Sequence, residues 1–162
     1  MKFKLSGLLA VLAVLAVPTL SNAQSEKPIQ IALFAPVQIF NAETSITGIR
    51  INLIYGVNKN VTGIDWGLVN KLTGNMTGIE SGMVNLVDGN FTGIQDGWVN
   101  ITGKNFTGLQ WGLYNSSESM KGLQVGFVNS AGSLNNGLQI GLININKSGV
   151  PHKFLPIVNY SF

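Results

Sequence analysis

Three carboxylates in the middle of the chain are the first residues whose types and spacing could do chemistry. Asp65, Glu80 and Asp96 follow one another at intervals of fifteen and sixteen residues. If units of that length stack, the carboxylates approach one another and could act as an acid–base pair or bind calcium. No calcium-binding, phosphate-binding or nucleophile motif accompanies them. The sequence therefore favours the alternative, solvated side chains on a polar face.

A histidine is the second chemical candidate. His152 is the only histidine of the chain, so a catalytic triad or a histidine-bound metal would have to be built around it. Its neighbours Pro151 and Lys153 indicate an exposed turn instead. We therefore predict no catalytic residue, no metal site and no cofactor.

Three tryptophans could form an aromatic stripe that binds sugars. Trp66 and Trp111 occupy the same position of the repeat described below, but three units separate them, and Ser81 and Asp96 lie between. Trp98 occupies a different position. Packing within the fold or at an interface is the favoured interpretation, and ligand binding by these tryptophans stays open.

A repeat of about fifteen residues must position all of these side chains. The segment "NFTGIQDGWVN" at Asn90–Asn100 returns almost unchanged as "NFTGLQWGLYN" at Asn105–Asn115. Seven units run from Gly48 to about Pro151 with the consensus G-[IL]-[QDE]-x-G-[LMFW]-V-N. The predicted structural residues are two glycines and one asparagine in each of the six units from Gly63 onwards: Gly63, Gly67, Gly78, Gly82, Gly93, Gly97, Gly108, Gly112, Gly122, Gly126, Gly137 and Gly141, with Asn70, Asn85, Asn100, Asn115, Asn129 and Asn144.

These units predict an all-β fold, because their apolar residues lack helical spacing and each glycine would cost a helix about 1 kcal/mol. The favoured architecture is a β-solenoid-like stack of about eight 15-residue repeats, with equivalent residues about 4.8 Å apart. We expect the isoleucines and leucines one and five residues after each first glycine to form the core. We expect the glutamines and asparagines to form hydrogen-bonded ladders. A degenerate eighth unit, "HKFLPIVN", should place Pro156 in the second-glycine slot and Asn159 in the asparagine slot.

The alternative architecture is an antiparallel up-and-down outer-membrane β-barrel of eight or nine strands, one strand per unit. The ending "PIVNYSF" favours it, because Val158, Tyr160 and Phe162 alternate as in the C-terminal recognition strand of such barrels. The repeat argues against it, because Ser81 and Asp96 would lie on the same strand face as the apolar residues that meet lipid. The solenoid is the favoured of the two.

The chain divides into a signal peptide at 1–23, an N-terminal capping strand region at 24–47 and a glycine- and asparagine-rich β-repeat domain at 48–162. Lys2 and Lys4 precede the apolar run Leu8–Val17, and small residues lead to cleavage after Ala23. Removal of the two lysines lowers the formal charge from +3 to +1, which leaves no basic patch for nucleic acid. The chain has no cysteine, so its stability must come from packing and backbone pairing.

The segments "TGIRINLIYGVNKNVTGIDWGLVN", "TGLQWGLYN", "KGLQVGFVN" and "NGLQIGLININ" resemble a family of bacterial surface repeat-containing proteins, known mostly from spirochaetes and related Gram-negative groups. The resemblance implies an exported protein of the outer membrane or cell surface, with the periplasmic side also open. It implies a structural or binding scaffold without catalysis, whose partner would be a host or envelope macromolecule. Some relatives are lipoproteins, whereas this chain has no cysteine to lipidate. A small outer-membrane β-barrel channel is the alternative function.

Overall fold

The computed structural model describes residues 26–162, which are built almost entirely from β-strands. The predicted signal peptide lies outside these described residues. Within them, no helix is long and apolar enough to cross a membrane. The strands are β1 (Lys27–Phe34), β2 (Val37–Gln38), β3 (Ile46–Asn58), β4 (Val61–Leu72), β5 (Met76–Ser81), β6 (Val84–Val87), β7 (Phe91–Asp96), β8 (Val99–Trp111), β9 (Tyr114–Val125), β10 (Val128–Asn146) and β11 (Phe154–Ser161).

Successive repeats pair in parallel and in register, which makes the chain a β-solenoid of about eight turns. Gly63 pairs with Gly78, and Gly78 pairs with Gly93, so the register advances by one whole unit at each step. The predicted solenoid is therefore confirmed. The antiparallel barrel alternative is wrong, because an up-and-down meander requires neighbouring strands to run in opposite directions.

Each turn of the solenoid, called a coil here, has two short sides joined by two corners. In one coil β7 forms the first side, Gly97 and Trp98 form the first corner, and β8 begins the second side. On the first side β5 pairs with β7, and on the second side β6 pairs with the first part of β8. The two sides therefore form two parallel sheets that face each other across a narrow interior. Gly103 then begins the second corner, which leads to the next coil.

The apolar core contains a column that lies two residues before the first glycine of a unit, or three before Gly137. Its members are Ile46, Val61, Met76, Phe91, Phe106, Met120 and Leu134, and Leu72, Val87 and Ala131 belong to the same cluster. The rings of Phe91 and Phe106 stack with centroids 5.1 Å apart. The predicted core of first- and fifth-position residues is wrong: Ile94 is 42% exposed and Trp98 is 59% exposed. The reason is side-chain alternation: Phe91 faces inwards, so Ile94, three residues later, faces outwards.

Both ends of the stack depart from the repeat. β2 pairs antiparallel with β1 at the N-terminal end, and β11 pairs antiparallel with β10 at the C-terminal end. The predicted eighth unit is therefore wrong in its register: Asn159 lies opposite Gln139, and Leu155 lies opposite Asn144. Pro156 lies within β11, where it removes one N–H from the edge of the sheet.

Candidate functional site

A column of glutamines lies inside the solenoid and forms the ladder that the sequence predicts. The Nε2 atom of each glutamine donates to the side-chain oxygen of the residue one coil earlier, over 2.8 Å from Gln139 to Gln124 and 2.6 Å from Gln124 to Gln110. The same bond joins Gln110 to Gln95 and Gln95 to Glu80, over 2.8 Å each. These side chains are completely buried. Because each amide is both donor and acceptor, the column can bury polar groups without leaving most of them unpaired.

The N-terminal half of the same column carries charge. Arg50, Asp65 and Glu80 lie at successive levels of the column and are fully buried. The Arg50 Nε atom donates to Asp65 Oδ1 over 2.8 Å, and the guanidinium also bonds the carbonyl oxygen of Lys71 over 3.1 Å. The predicted polar, solvated face is therefore wrong for Asp65 and Glu80, whose repeat position points inwards.

Asp96 does not belong to this acidic column. It lies one position later in its repeat than Asp65 and Glu80 do in theirs, so its side chain faces outwards and is exposed. Its carboxylate accepts a hydrogen bond of 3.4 Å from the Ser81 hydroxyl. The structure thus brings together two of the three predicted carboxylates and separates the third, which removes the three-carboxylate site considered from the sequence.

Burial raises the pKa of Glu80 well above its ordinary value, and the negative charge of Asp65 raises it further. The hydrogen bond from Gln95 and the charge of Arg50 act in the opposite direction with less effect. Burial therefore favours the protonated, neutral form of Glu80 in the folded protein. Its Oε1 atom accepts no hydrogen bond from the described residues, which makes it the natural position for the proton.

Glu80→Gln is expected to stabilise the protein at neutral pH by up to about 2 kcal/mol, because the amide can donate to Asp65 without taking up a proton on folding. The unfolded chain releases the Glu80 proton near pH 4.5, whereas the folded chain retains it to higher pH. The contribution of Glu80 to the free energy of unfolding therefore falls as pH rises above about 4.5, and this fall should be absent in the variant.

Urea unfolding of both proteins between pH 4 and pH 8 measures this difference. Glu118→Gln is the matched control, because Glu118 is exposed and its replacement should leave the pH profile of the parent unchanged. A Glu80→Gln profile that runs parallel to that of the parent would contradict a neutral, buried Glu80.

A second polar column contains the repeat asparagines and closes the first corner of each coil. Asn100 Nδ2 donates to the carbonyl oxygen of Trp111 over 2.8 Å and to Asn115 Oδ1 over 2.9 Å. Asn100 Oδ1 accepts from Asn85 Nδ2 over 2.8 Å. Equivalent bonds join Asn70, Asn115, Asn129 and Asn144 to their neighbours. The column therefore pairs corner carbonyls and links one coil to the next.

In the first coil, the second glycine and the repeat asparagine have exchanged places, and the asparagine column is still complete. Gly56 pairs with Asn70, so glycine occupies the asparagine slot, while Asn52 pairs with Gly67 in the second-glycine slot. The Asn52 side chain crosses the corner and donates to Asn70 Oδ1 over 2.7 Å. A Cβ atom on Gly56 would lie 1.8 Å from Asn52 Oδ1, so the two exchanges depend on each other.

The two repeat glycines of a coil lie where the backbones of neighbouring coils approach each other. Gly93, a first glycine, has φ of 135°, and a Cβ atom there would lie 1.9 Å from the carbonyl oxygen of Gly78. Gly97, a second glycine, would place a Cβ atom 2.3 Å from the carbonyl oxygen of Gly82. A side chain at either position would therefore collide with backbone rather than with a flexible neighbour.

The second glycines form the floor of an open groove of about 830 Å³ that runs along the solenoid axis. Gly82, Gly97, Gly112, Gly126 and Gly141 form this floor. The first bank, which we call the ridge, contains Met83, Trp98, Leu113, Phe127 and Leu142. The second bank contains Asp96, Trp111, Val125 and Ile140, and Ile157 of β11 also lines the groove. Ridge, floor and second bank together are called the apolar edge below.

The charged residues lie mainly at the opposite corner. The turns between the second side of one coil and the next coil carry Lys59, Asp88, Lys104, Glu118 and Lys147. Lys71 forms an ion pair with Asp88 beside these turns. The solenoid is therefore amphipathic across its width, with one polar edge and one apolar edge.

The remaining predicted residues lie on the surface. Trp66 is 57% exposed and lies in the column of the second bank, two coils before Asp96, so the floor column separates it from the ridge column of Trp98. Trp111 lies on the second bank, so Trp98 and Trp111 face the same groove although they occupy different repeat positions. His152 is exposed near Tyr160 of β11, with ring centroids 6.2 Å apart. In residues 26–162, no group of three or more histidine, aspartate and glutamate side chains could hold a metal ion.

The fold and this edge define the chain as a β-solenoid whose interior combines amide columns with an apolar column and whose outer edge is apolar. Comparisons with known protein families, with curated proteins and with solved structures found no match to this chain.

Proposed function

We propose that this chain is an exported, non-catalytic repeat protein of the bacterial outer membrane or cell surface, and that it acts as a binding scaffold through its apolar edge. The observation that carries the proposal is the exposure of large apolar side chains in an unbroken row on that edge. Trp98, Leu113, Phe127 and Leu142 are each at least half exposed at successive coils. An exposed apolar patch of this extent is characteristic of an interaction surface.

The interior supports a structural role for the polar residues rather than a chemical one. Arg50, Asp65 and Glu80 are completely buried, and the amide columns continue above and below them. A substrate could reach these groups only by separating the two sheets. The binding surface is therefore the outside of the solenoid, and its rigidity comes from the ladders within.

Thiol labelling in cells tests this proposal, because the chain has no cysteine of its own. Leu113→Cys places one thiol on the ridge, and Thr107→Cys places one on an exposed strand face away from it. We expect the processed chain in the envelope or at the cell surface, with Cys labelling by a membrane-impermeant reagent slow at position 113 and fast at position 107. A cytoplasmic chain, or equal labelling of the two variants, would contradict the proposal.

A further inference from the structure

The spacing of side chains on the apolar edge restricts what can cover it. Ridge residues of successive coils are about 4.8 Å apart, because each coil is one strand spacing above the last. Same-face residues of an extended strand are about 6.6 Å apart, and successive turns of an α-helix are about 5.4 Å apart. A second β-solenoid lying alongside also presents one side chain about every 4.8 Å, because its strands have the same spacing. The two rows of side chains can then interdigitate along their whole length.

The area of the edge agrees with such a partner. Trp98, Trp111 and Phe127 each expose more than half of their surface, which leaves roughly 100 Å² of each uncovered. With the aliphatic members of the ridge and second bank, the exposed fractions multiplied by typical side-chain areas give an apolar area on the order of 800 Å². That is about the share that each partner contributes to a standard interface, and it exceeds the few hundred Å² that a monomer usually exposes.

We propose that the apolar edge binds the apolar edge of a second copy of this chain. This inference rests on the proposed function and names the partner of the same surface. The two solenoids lie side by side and antiparallel, and the two-fold axis passes near Gly112, the middle glycine of the groove floor. The ridge of each copy then occupies the groove of the other, so one contact is made twice.

The position of Asp96 is compatible with this axis. Asp96 is the charged member of the second bank and lies one coil from Gly112 towards the N-terminal end of the groove. Rotation about an axis at Gly112 places the two Asp96 carboxylates two coils apart, or about 10 Å. An axis at Gly97 would instead bring the two carboxylates together.

Sedimentation of the exported protein, purified from cells and free of lipid and detergent, tests the proposal. We expect a concentration-dependent dimer. Leu113→Glu should weaken it by about thirtyfold or more, because it buries two charges next to the axis. Thr107→Glu adds the same charge to the same coil away from the edge and should leave the dimer unchanged. A parent that stays monomeric, or a Leu113→Glu variant that dimerises as tightly as the parent, overturns the proposal.

Cross-linking provides a measurement that does not depend on the folding of Leu113→Glu. A short bis-maleimide should join two Leu113→Cys chains near the axis and should not join two Thr107→Cys chains. Equal cross-linking of both variants overturns the proposal. If the purified parent is monomeric but floats with phosphatidylethanolamine–phosphatidylglycerol vesicles, lipid covers the edge instead of a second copy. The proposed function would then stand, because it requires only that the edge be covered in cells.

Discussion

Gly97→Val is expected to prevent folding or to lower the free energy of unfolding by more than about 4 kcal/mol. A Cβ atom at this position would lie 2.3 Å from the Gly82 carbonyl oxygen and 2.6 Å from Asn85 Nδ2. Asn85 cannot move away without losing its bonds to the Asp96 carbonyl oxygen and to Asn100. The collision therefore breaks the asparagine column at the corner where the two sheets meet. Circular dichroism and urea unfolding measure the loss.

Asp96→Val is the control for this substitution. It introduces the same β-branched side chain one residue earlier, on the outer surface, where Asp96 is exposed. Its free energy of unfolding should lie within about 1 kcal/mol of that of the parent. If Gly97→Val unfolded at the same urea concentration as Asp96→Val, the second glycines would not be required by close backbone approach.

Arg50→Gln is expected to lower the free energy of unfolding by about 3–5 kcal/mol, because it removes the charge that compensates buried Asp65. Arg50 and Asp65 are both fully buried and form the ion pair of the glutamine column. Glutamine is smaller than arginine but fits this column, as Gln95 and Gln110 show, so the packing lost should cost less than the unpaired buried charge. The loss should therefore come from the unpaired charge, and urea unfolding at pH 7 measures it.

The double variant Arg50→Gln, Asp65→Asn separates charge from packing. It removes both charges and leaves amides that can continue the ladder, so it should recover most of the lost stability. The Asn52 amide donates to Asp65 Oδ1 over 3.1 Å, and an asparagine at position 65 can still accept that bond. A double variant that is no more stable than Arg50→Gln would show that the guanidinium contributes through its shape or its other hydrogen bonds.

The repeat alone predicted the parallel stack, the ladders and the columns of glycine. An interval of fifteen residues places Gly78 beside Gly63 and Gln110 beside Gln95 whenever units stack in register. The parallel stack, the ladders and the glycine columns depend only on the spacing of the residues, so they can be predicted without knowing which face of each strand is buried. The same spacing also showed that Asp65 and Glu80 belong to adjacent units.

The predicted core of first- and fifth-position residues is wrong because hydropathy alone does not show which face of a strand is buried. The alternation of side chains along the strand limits the choice. Phe91 and Ile94 are three residues apart and must lie on opposite faces of one strand, so both apolar columns cannot be inside. The amides decide between the two faces. Asn100 lies inside because it pairs corner carbonyls that the strand ladders leave without a partner, and Gln95 shares the inner face of β7 with Phe91. Apolar residues on a surface are common, whereas buried amides require partners that this interior supplies.

The apolar edge was missed for a related reason. Trp98 and Trp111 were compared by repeat position, and they differ in position, so the sequence did not indicate a shared surface. The groove between them exists because Gly97 and Gly112 carry no side chains. In the sequence, the signal for such a groove is a second glycine followed directly by a large apolar residue in unit after unit. That signal appears in six units, from Gly67–Leu68 to Gly141–Leu142.

The most direct test compares one substitution at two phenylalanines. Phe106 is 1% exposed in the inner column, and Phe127 is 58% exposed on the ridge. At a protein concentration low enough to avoid association, Phe106→Ala should lower the free energy of unfolding by about 3–5 kcal/mol, and Phe127→Ala by less than half as much. Equal losses, or a larger loss at Phe127, would contradict a solenoid whose amides lie inside and whose apolar edge lies outside.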